Sequence, residues 1–161
     1  MADLVLTKVN INVLKTKHTF LLQEGQWTAS GTLSDPNGRV SSIVGTAVVK
    51  HTEENWLNQS NMQLAGDASI TFSNCYEIEP LIAGMETTIW ETEHPGLGLV
   101  IGTLAIVDTA IILSYTAPGG YYSGTEIFSQ LDAENYQSWG VLWQGDQKVS
   151  SWQAQLTKAQ D

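Results

Sequence analysis

The side chains able to do chemistry are few, and most of them fall in segments that read as β-strands. Over residues 69–79, Ile70, Phe72, Asn74, Tyr76 and Ile78 share one face, opposite Thr71, Ser73, Cys75, Glu77 and Glu79. Asn74 and Tyr76 then stand in an apolar wall. A buried polar group without a partner costs about 1–3 kcal/mol, so each calls for a neighbour, a water or a ligand. Over residues 121–131, Glu126 shares a face with Tyr122, Gly124, Phe128 and Gln130, and it either meets water or sits among aromatics. In the second case an apolar setting favours the protonated acid, and Glu126 and Tyr76 become candidate catalytic groups for proton transfer.

Other constellations carry less. Glu91, Glu93 and His94 could offer ligands to one metal, but carboxylates at a strand end are ordinarily solvated, and no metal site is expected. His51 beside Glu53 and Glu54 reads the same way. Gly96-x-Gly98-x-x-x-Gly102 matches a nucleotide-binding fingerprint in spelling only: Pro95-Gly96 is turn chemistry, and the apolar stretch after it is not a helix that would present its N-terminus to phosphate. There is no Gly-x-Ser-x-Gly elbow, and Cys75 has no histidine near it in sequence, so it reads as a small buried hydrophobe.

Seventeen acidic against seven basic residues give a formal charge of −10, with no Lys or Arg between His51 and Gln147. Such a surface repels polyanions, which argues against nucleic acid and anionic membranes as partners. The single cysteine excludes an intramolecular disulfide. The first residues lack the long apolar core of a secretory signal, so a cytoplasmic location is expected. The most apolar tract, residues 97–113, is interrupted by Gly98, Gly102 and Asp108 and reads as a hairpin rather than a membrane span. Its apolar residues lie on both faces, so residues 99–113 are the expected contact of a homodimer.

These side chains must be positioned by strands. From Gly25 onward, runs rich in Val, Ile, Thr, Tyr and Trp are separated about every 8 to 12 residues by turn chemistry, the pattern of an antiparallel barrel or sandwich. Asp35-Pro36-Asn37-Gly38 is the clearest turn, and others fall at Gly66, Pro95-Gly96, Asp108-Thr109, Gly119-Gly120, Glu134 and Gly145-Asp146. Connections this short force neighbouring strands to pair, and closure hides the two edges of the meander. The expectation is all-β: an antiparallel up-and-down barrel of about ten strands over residues 25–161. A segment over residues 1–24, helical between Val9 and Gln23, closes it. Gly45, Gly102, Gly124 and Gly140 lie mid-strand and mark bends of a coiled sheet or places where another group comes close.

Gly25-Gln26-Trp27, following Phe20-Leu21-Leu22, resembles the start of a calycin barrel, the arrangement shared by lipocalins, fatty-acid-binding proteins and nitrobindin-like proteins. Gly25-x-Trp27-x-x-x-Gly31 is similar to the nitrobindin-like pattern, with Ala29 in place of a further glycine. The same Phe-Leu-Leu-x-x-Gly-x-Trp opening resembles the phycobiliprotein lyases, which hold bilin chromophores in a similar barrel. There is no Thr-Asp-Tyr motif between middle strands. The last strand has neither an arginine over the tryptophan nor a histidine to ligate haem, and only Arg39 is present to pair a bilin propionate. No cofactor is therefore expected, with haem and bilin the groups that the resemblance itself suggests.

What the resemblance implies is a cup for a small apolar or amphipathic molecule. The residues expected in it are Trp27, Asn74, Tyr76, Trp90, Glu126 and Trp139, the last ambiguous between interior and surface. Two further readings stay open: an isomerase or chromophore lyase using Glu126 and Tyr76, and an interaction module whose tryptophans cover a sugar or protein.

Overall fold

Turn chemistry sets the architecture. At Asp35-Pro36-Asn37-Gly38 the Asp35 carboxylate accepts from the backbone N–H groups of Asn37 (2.8 Å) and Arg39 (2.9 Å), and Gly38 takes the left-handed conformation (φ 79°). Asp108 does the same without glycine (φ 53°) between two apolar strands. The computed structural model describes residues 18–160, without the side chain of residue 68.

Ten strands follow one another: β1 (Gly25–Ser34), β2 (Val40–His51), β3 (Trp56–Leu64), β4 (Asp67–Ile78), β5 (Thr87–His94), β6 (Gly98–Val107), β7 (Ala110–Thr116), β8 (Tyr122–Asp132), β9 (Asn135–Gln144) and β10 (Gln147–Lys158). Each pairs antiparallel with the next, and β10 pairs with β1 from Trp27↔Lys158 to Ser34↔Ser151, closing the barrel. The expected strands all appear, because a slip of one residue would turn every apolar side chain outward.

The wall is uneven. β4 pairs with β5 only at Glu77↔Glu91 and Ile78↔Trp90, whereas β4 pairs with β3 along nearly its whole length. Beyond that short ladder Thr92 Oγ1 donates to the Cys75 carbonyl (2.8 Å), and the rest of β4 toward Asp67 has no strand partner on this side. The barrel therefore has a lateral seam running to one end, where Phe72, although in inward register, is 42% exposed, and Ile70, in the irregular stretch of β4 before it, is 43% exposed.

The other end is plugged. Phe20 and Leu21 are fully buried across it, and Phe20 packs against Trp27, Phe128 and Tyr136 at ring separations of 4.9–5.7 Å. Polar contacts fasten the plug to the wall. Thr19 N–H (3.1 Å) and Phe20 N–H (3.3 Å) donate to the Tyr136 hydroxyl, and the Tyr136 hydroxyl pairs with His18 Nδ1 (3.0 Å). His18 Nε2 meets the Asp108 carbonyl (2.9 Å), which only accepts, so Nε2 carries a proton. With two N–H groups already on its oxygen, Tyr136 is left to donate to an unprotonated Nδ1, which makes His18 neutral. Burial also lowers the His18 pKa, in the same direction.

Three expectations are corrected. No helix occurs among the described residues: residues 18–24 form a bent segment with Leu21 at positive φ (66°), and the first part of the helix expected from Val9 lies outside the described residues. Cys75 is exposed, because it alternates with the inward Asn74 and Tyr76 and so faces outward. The interior is not an open lumen, since Trp27, Ile78, Leu104, Ile111, Leu113 and Tyr136 fill the plugged half. Among the described residues no helix is long and apolar enough to cross a membrane.

Tyr136→Phe should lower stability by about 1–3 kcal/mol, because it strands buried donors on the plug. Denaturant titration should show an earlier midpoint at unchanged slope. His18 is neutral when folded and binds a proton near pH 6.5 when unfolded, so its contribution is complete above that value and is lost as pH falls through the lowered folded pKa. His18→Gln should flatten this acid-side loss; an unchanged pH profile would contradict the assigned neutral state.

Candidate functional site

The site is built where inward glycines face aromatic residues on the next strand. Gly102 of β6 pairs with Trp90 of β5, Gly124 of β8 with Tyr115 of β7, and Gly140 of β9 with Trp152 of β10. In each pair the aromatic ring occupies the space where a Cβ on the glycine would sit. Close approach, more than bending, is what these glycines provide. Gly45 follows the same rule with Met62.

Around this wall Tyr76 stacks on Trp90 (4.6 Å, 28°), Trp90 meets Tyr115 edge-on (5.8 Å, 84°), and Trp90 Nε1 donates to the Thr103 carbonyl (3.0 Å). Glu126 projects among these rings from the middle of β8, between Leu113 and Gly140 in register. Its Oε2 accepts from Trp152 Nε1 (3.2 Å). A cavity of about 30 Å³ remains, lined by Tyr76, Trp90, Leu113, Tyr115, Glu126 and Trp152. It has room for one or two waters, or a head group of that size.

Water reaches part of Glu126 from the open end, but protein encloses the carboxylate itself, and that enclosure sets its acidity. Loss of solvation raises the Glu126 pKa to about 7, against a smaller opposing effect of the Trp152 hydrogen bond. No lysine or arginine among the described residues contributes. Burial, reinforced by the nearby Glu126 charge, raises Tyr76 well above the ordinary tyrosine value and raises Tyr115 as well, so both hydroxyls stay protonated.

Two solved structures resemble this barrel. The S-type phycobiliprotein lyase CPES from Guillardia theta superposes with a TM-score of 0.67 at 5% identity, over 87% of this chain and 90% of that one. Rv2717c from M. tuberculosis gives 0.61 at 13% identity, over 84% and 92%. At such identities they establish a shared calycin-like fold. No protein-family model and no curated protein matches the sequence.

Of the residues singled out in the sequence, Tyr76, Trp90 and Glu126 come together at the cavity. Asn74 faces inward one pair nearer the mouth and is half-buried. Trp27 is fully buried in the floor and does not line the cavity; its Nε1 and the buried Asn58 Oδ1 have no hydrogen-bond partner among the described residues. Trp139 is not an interior residue: it pairs with Ile127 and Gln153 on the outward register and is 48% exposed. Trp143 alternates with it on the same outer face. Besides Leu113, the lining residues that the expected set lacked include two aromatics, Tyr115 and Trp152. Their signal was register: each lies directly across from a mid-strand glycine.

A second, shallower depression of about 480 Å³ lies on the outer face of β5–β8 among Ile89, Ile101, Thr103, Ser114 and Thr125. It gathers no charged group. Glu91, Glu93 and His94 do not converge either; no group of three or more His, Cys, Asp or Glu side chains suited to a metal occurs among the described residues. His94 Nδ1 instead accepts from Gly96 N–H (3.1 Å).

The raised pKa of Glu126 couples stability to pH. Folded Glu126 keeps its proton until about pH 7, while the unfolded chain releases it near 4.5. Between these values the native state binds more protons, so stability falls as pH rises and stays reduced above the window, by about 3 kcal/mol. Glu126→Gln should therefore be more stable than the wild type at pH 8 by up to that amount. The advantage should vanish near pH 4.5 in denaturant titrations; a pH-independent difference would contradict the burial of this carboxylate.

Proposed function

We propose that this barrel binds one small amphipathic molecule non-covalently, with the ligand's polar end at Glu126 and its apolar part along the open end. The observation that carries the reading is a carboxyl group inside an aromatic wall, beside residual space, with no lysine or arginine acting on it among the described residues. Folding alone gives no reason to keep a carboxyl group there, since an apolar residue would fill the position at lower cost. Preformed pockets that combine apolar lining with a few polar groups are the usual form of a small-molecule site.

Access is supported by the β4–β5 seam and by exposed Ile70 and the exposed, inward-register Phe72, with Met62 on β3 and Leu33 on β1 half-buried at the same end. The small cavity limits what enters fully to a compact head group. A longer tail then lies against the mouth, where water already reaches apolar side chains. The likeness to a phycobiliprotein lyase is compatible with a ligand held in such a barrel and carries the fold only.

A second reading has one observation in its favour. A carboxyl group that titrates near pH 7 beside a protonated tyrosine suits general acid–base catalysis, so the bound molecule would be a substrate for isomerisation or a related proton transfer. Turnover in a substrate screen that is abolished by Glu126→Gln would establish this second role.

Native mass spectrometry of protein purified from its own host tests the binding reading. The wild type should carry a small amphipathic molecule, and Glu126→Lys, which fills the cavity and reverses its charge, should lose it while thermal melting reports an intact fold. Wild-type protein that carries nothing and whose tryptophan fluorescence ignores added octyl-chain amphiphiles would contradict binding.

A further inference from the structure

Resting on the binding reading above, we infer that the ligand's polar end is a primary ammonium group, so that the ligand class is a small amine with an apolar tail. Three features select it. Glu126 offers a carboxylate that already accepts from Trp152 and has acceptor capacity left, while no lysine or arginine among the described residues acts on it. Tyr76, Trp90, Tyr115 and Trp152 surround the same space, and aromatic rings attract a desolvated cation through their negative faces. Carboxylate and rings together favour a cation and disfavour a second anion, so a fatty-acid carboxylate is the wrong head group here.

Size narrows the class further. A cavity of about 30 Å³ suits a head group near the size of water. An –NH₃⁺ group fits this and supplies three donors for the carboxylate; a trimethylammonium group is bulkier and supplies none. The formal charge of −10, with no Lys or Arg from residue 51 to 147, favours the approach of a cation and not of an anion.

The pH dependence follows from the groups that face Glu126. Those that titrate are Tyr76 from β4 and Tyr115 from β7; Trp90 from β5 and Trp152 from β10 do not. Both tyrosines remain neutral at ordinary pH, so ionisation of Glu126 alone should strengthen amine binding as pH rises.

Calorimetric titration of the full chain at pH 8 with octylammonium, octyltrimethylammonium, 1-octanol and octanoate tests this. Octylammonium should bind at least about tenfold more tightly than the other three. Its affinity should fall between pH 8 and pH 5.5, and Glu126→Gln should reduce it to the level of octanol. The variant's fold is checked by its tryptophan emission and its melting. Equal binding of all four probes, or preference for octanoate, overturns the amine assignment and leaves a barrel that binds amphiphiles. Tighter binding of the trimethylammonium probe overturns the primary-amine restriction. No binding by any probe overturns this inference together with the binding reading beneath it.

Discussion

The contact between an aromatic ring and a bare glycine backbone on the adjacent strand is the constraint from which the site follows. Ten strands enclose more space than one layer of ordinary side chains fills. Here Trp90, Tyr115 and Trp152 spread over Gly102, Gly124 and Gly140, so large rings line the wall without colliding with side chains on those positions. A side chain at any of the three glycines would drive the ring inward and take the space that Glu126 now occupies. The same substitution of ring for Cβ aims Trp152 Nε1 at the Glu126 carboxylate.

The two ends of the barrel have different duties. One is sealed by Phe20 and Leu21 and fastened through His18 and Tyr136, which gives a rigid apolar base. The other keeps a seam beside β4, where strand pairing stops after two residue pairs. Local opening is easiest where backbone bonds are fewest, so it belongs at this seam and not at the base. Between them Glu126 is held at a cost in stability, a pattern common where function and packing compete.

Much of this was legible in the residues. Turn chemistry such as Asp35-Pro36-Asn37-Gly38 located the strands, and the alternation around Tyr76 gave the inward face of β4, because period two is imposed by the pleat. Glu126 and Trp139 stayed ambiguous for one reason: each shares its face with both polar and apolar neighbours, and only the closed register decides which side is inside. It turned Glu126 inward and Trp139 out. The mid-strand glycines carried a readable signal whose meaning needed the partner strand. The seam was not readable, since β4 and β5 have ordinary strand composition and what fails between them is a pairing over distance. Residues 18–23 were read as helical, and their bent course was not legible because Leu21 at positive φ and the anchors on Tyr136 and Asp108 are tertiary features.

The central claim is that the Glu126 carboxyl group stands inside the barrel with no cationic neighbour among the described residues, and carbon-13 NMR titration of its side-chain carboxyl carbon measures this directly. The account gives a midpoint near pH 7 for the free protein. A midpoint at the ordinary glutamate value would place the group in water and contradict it.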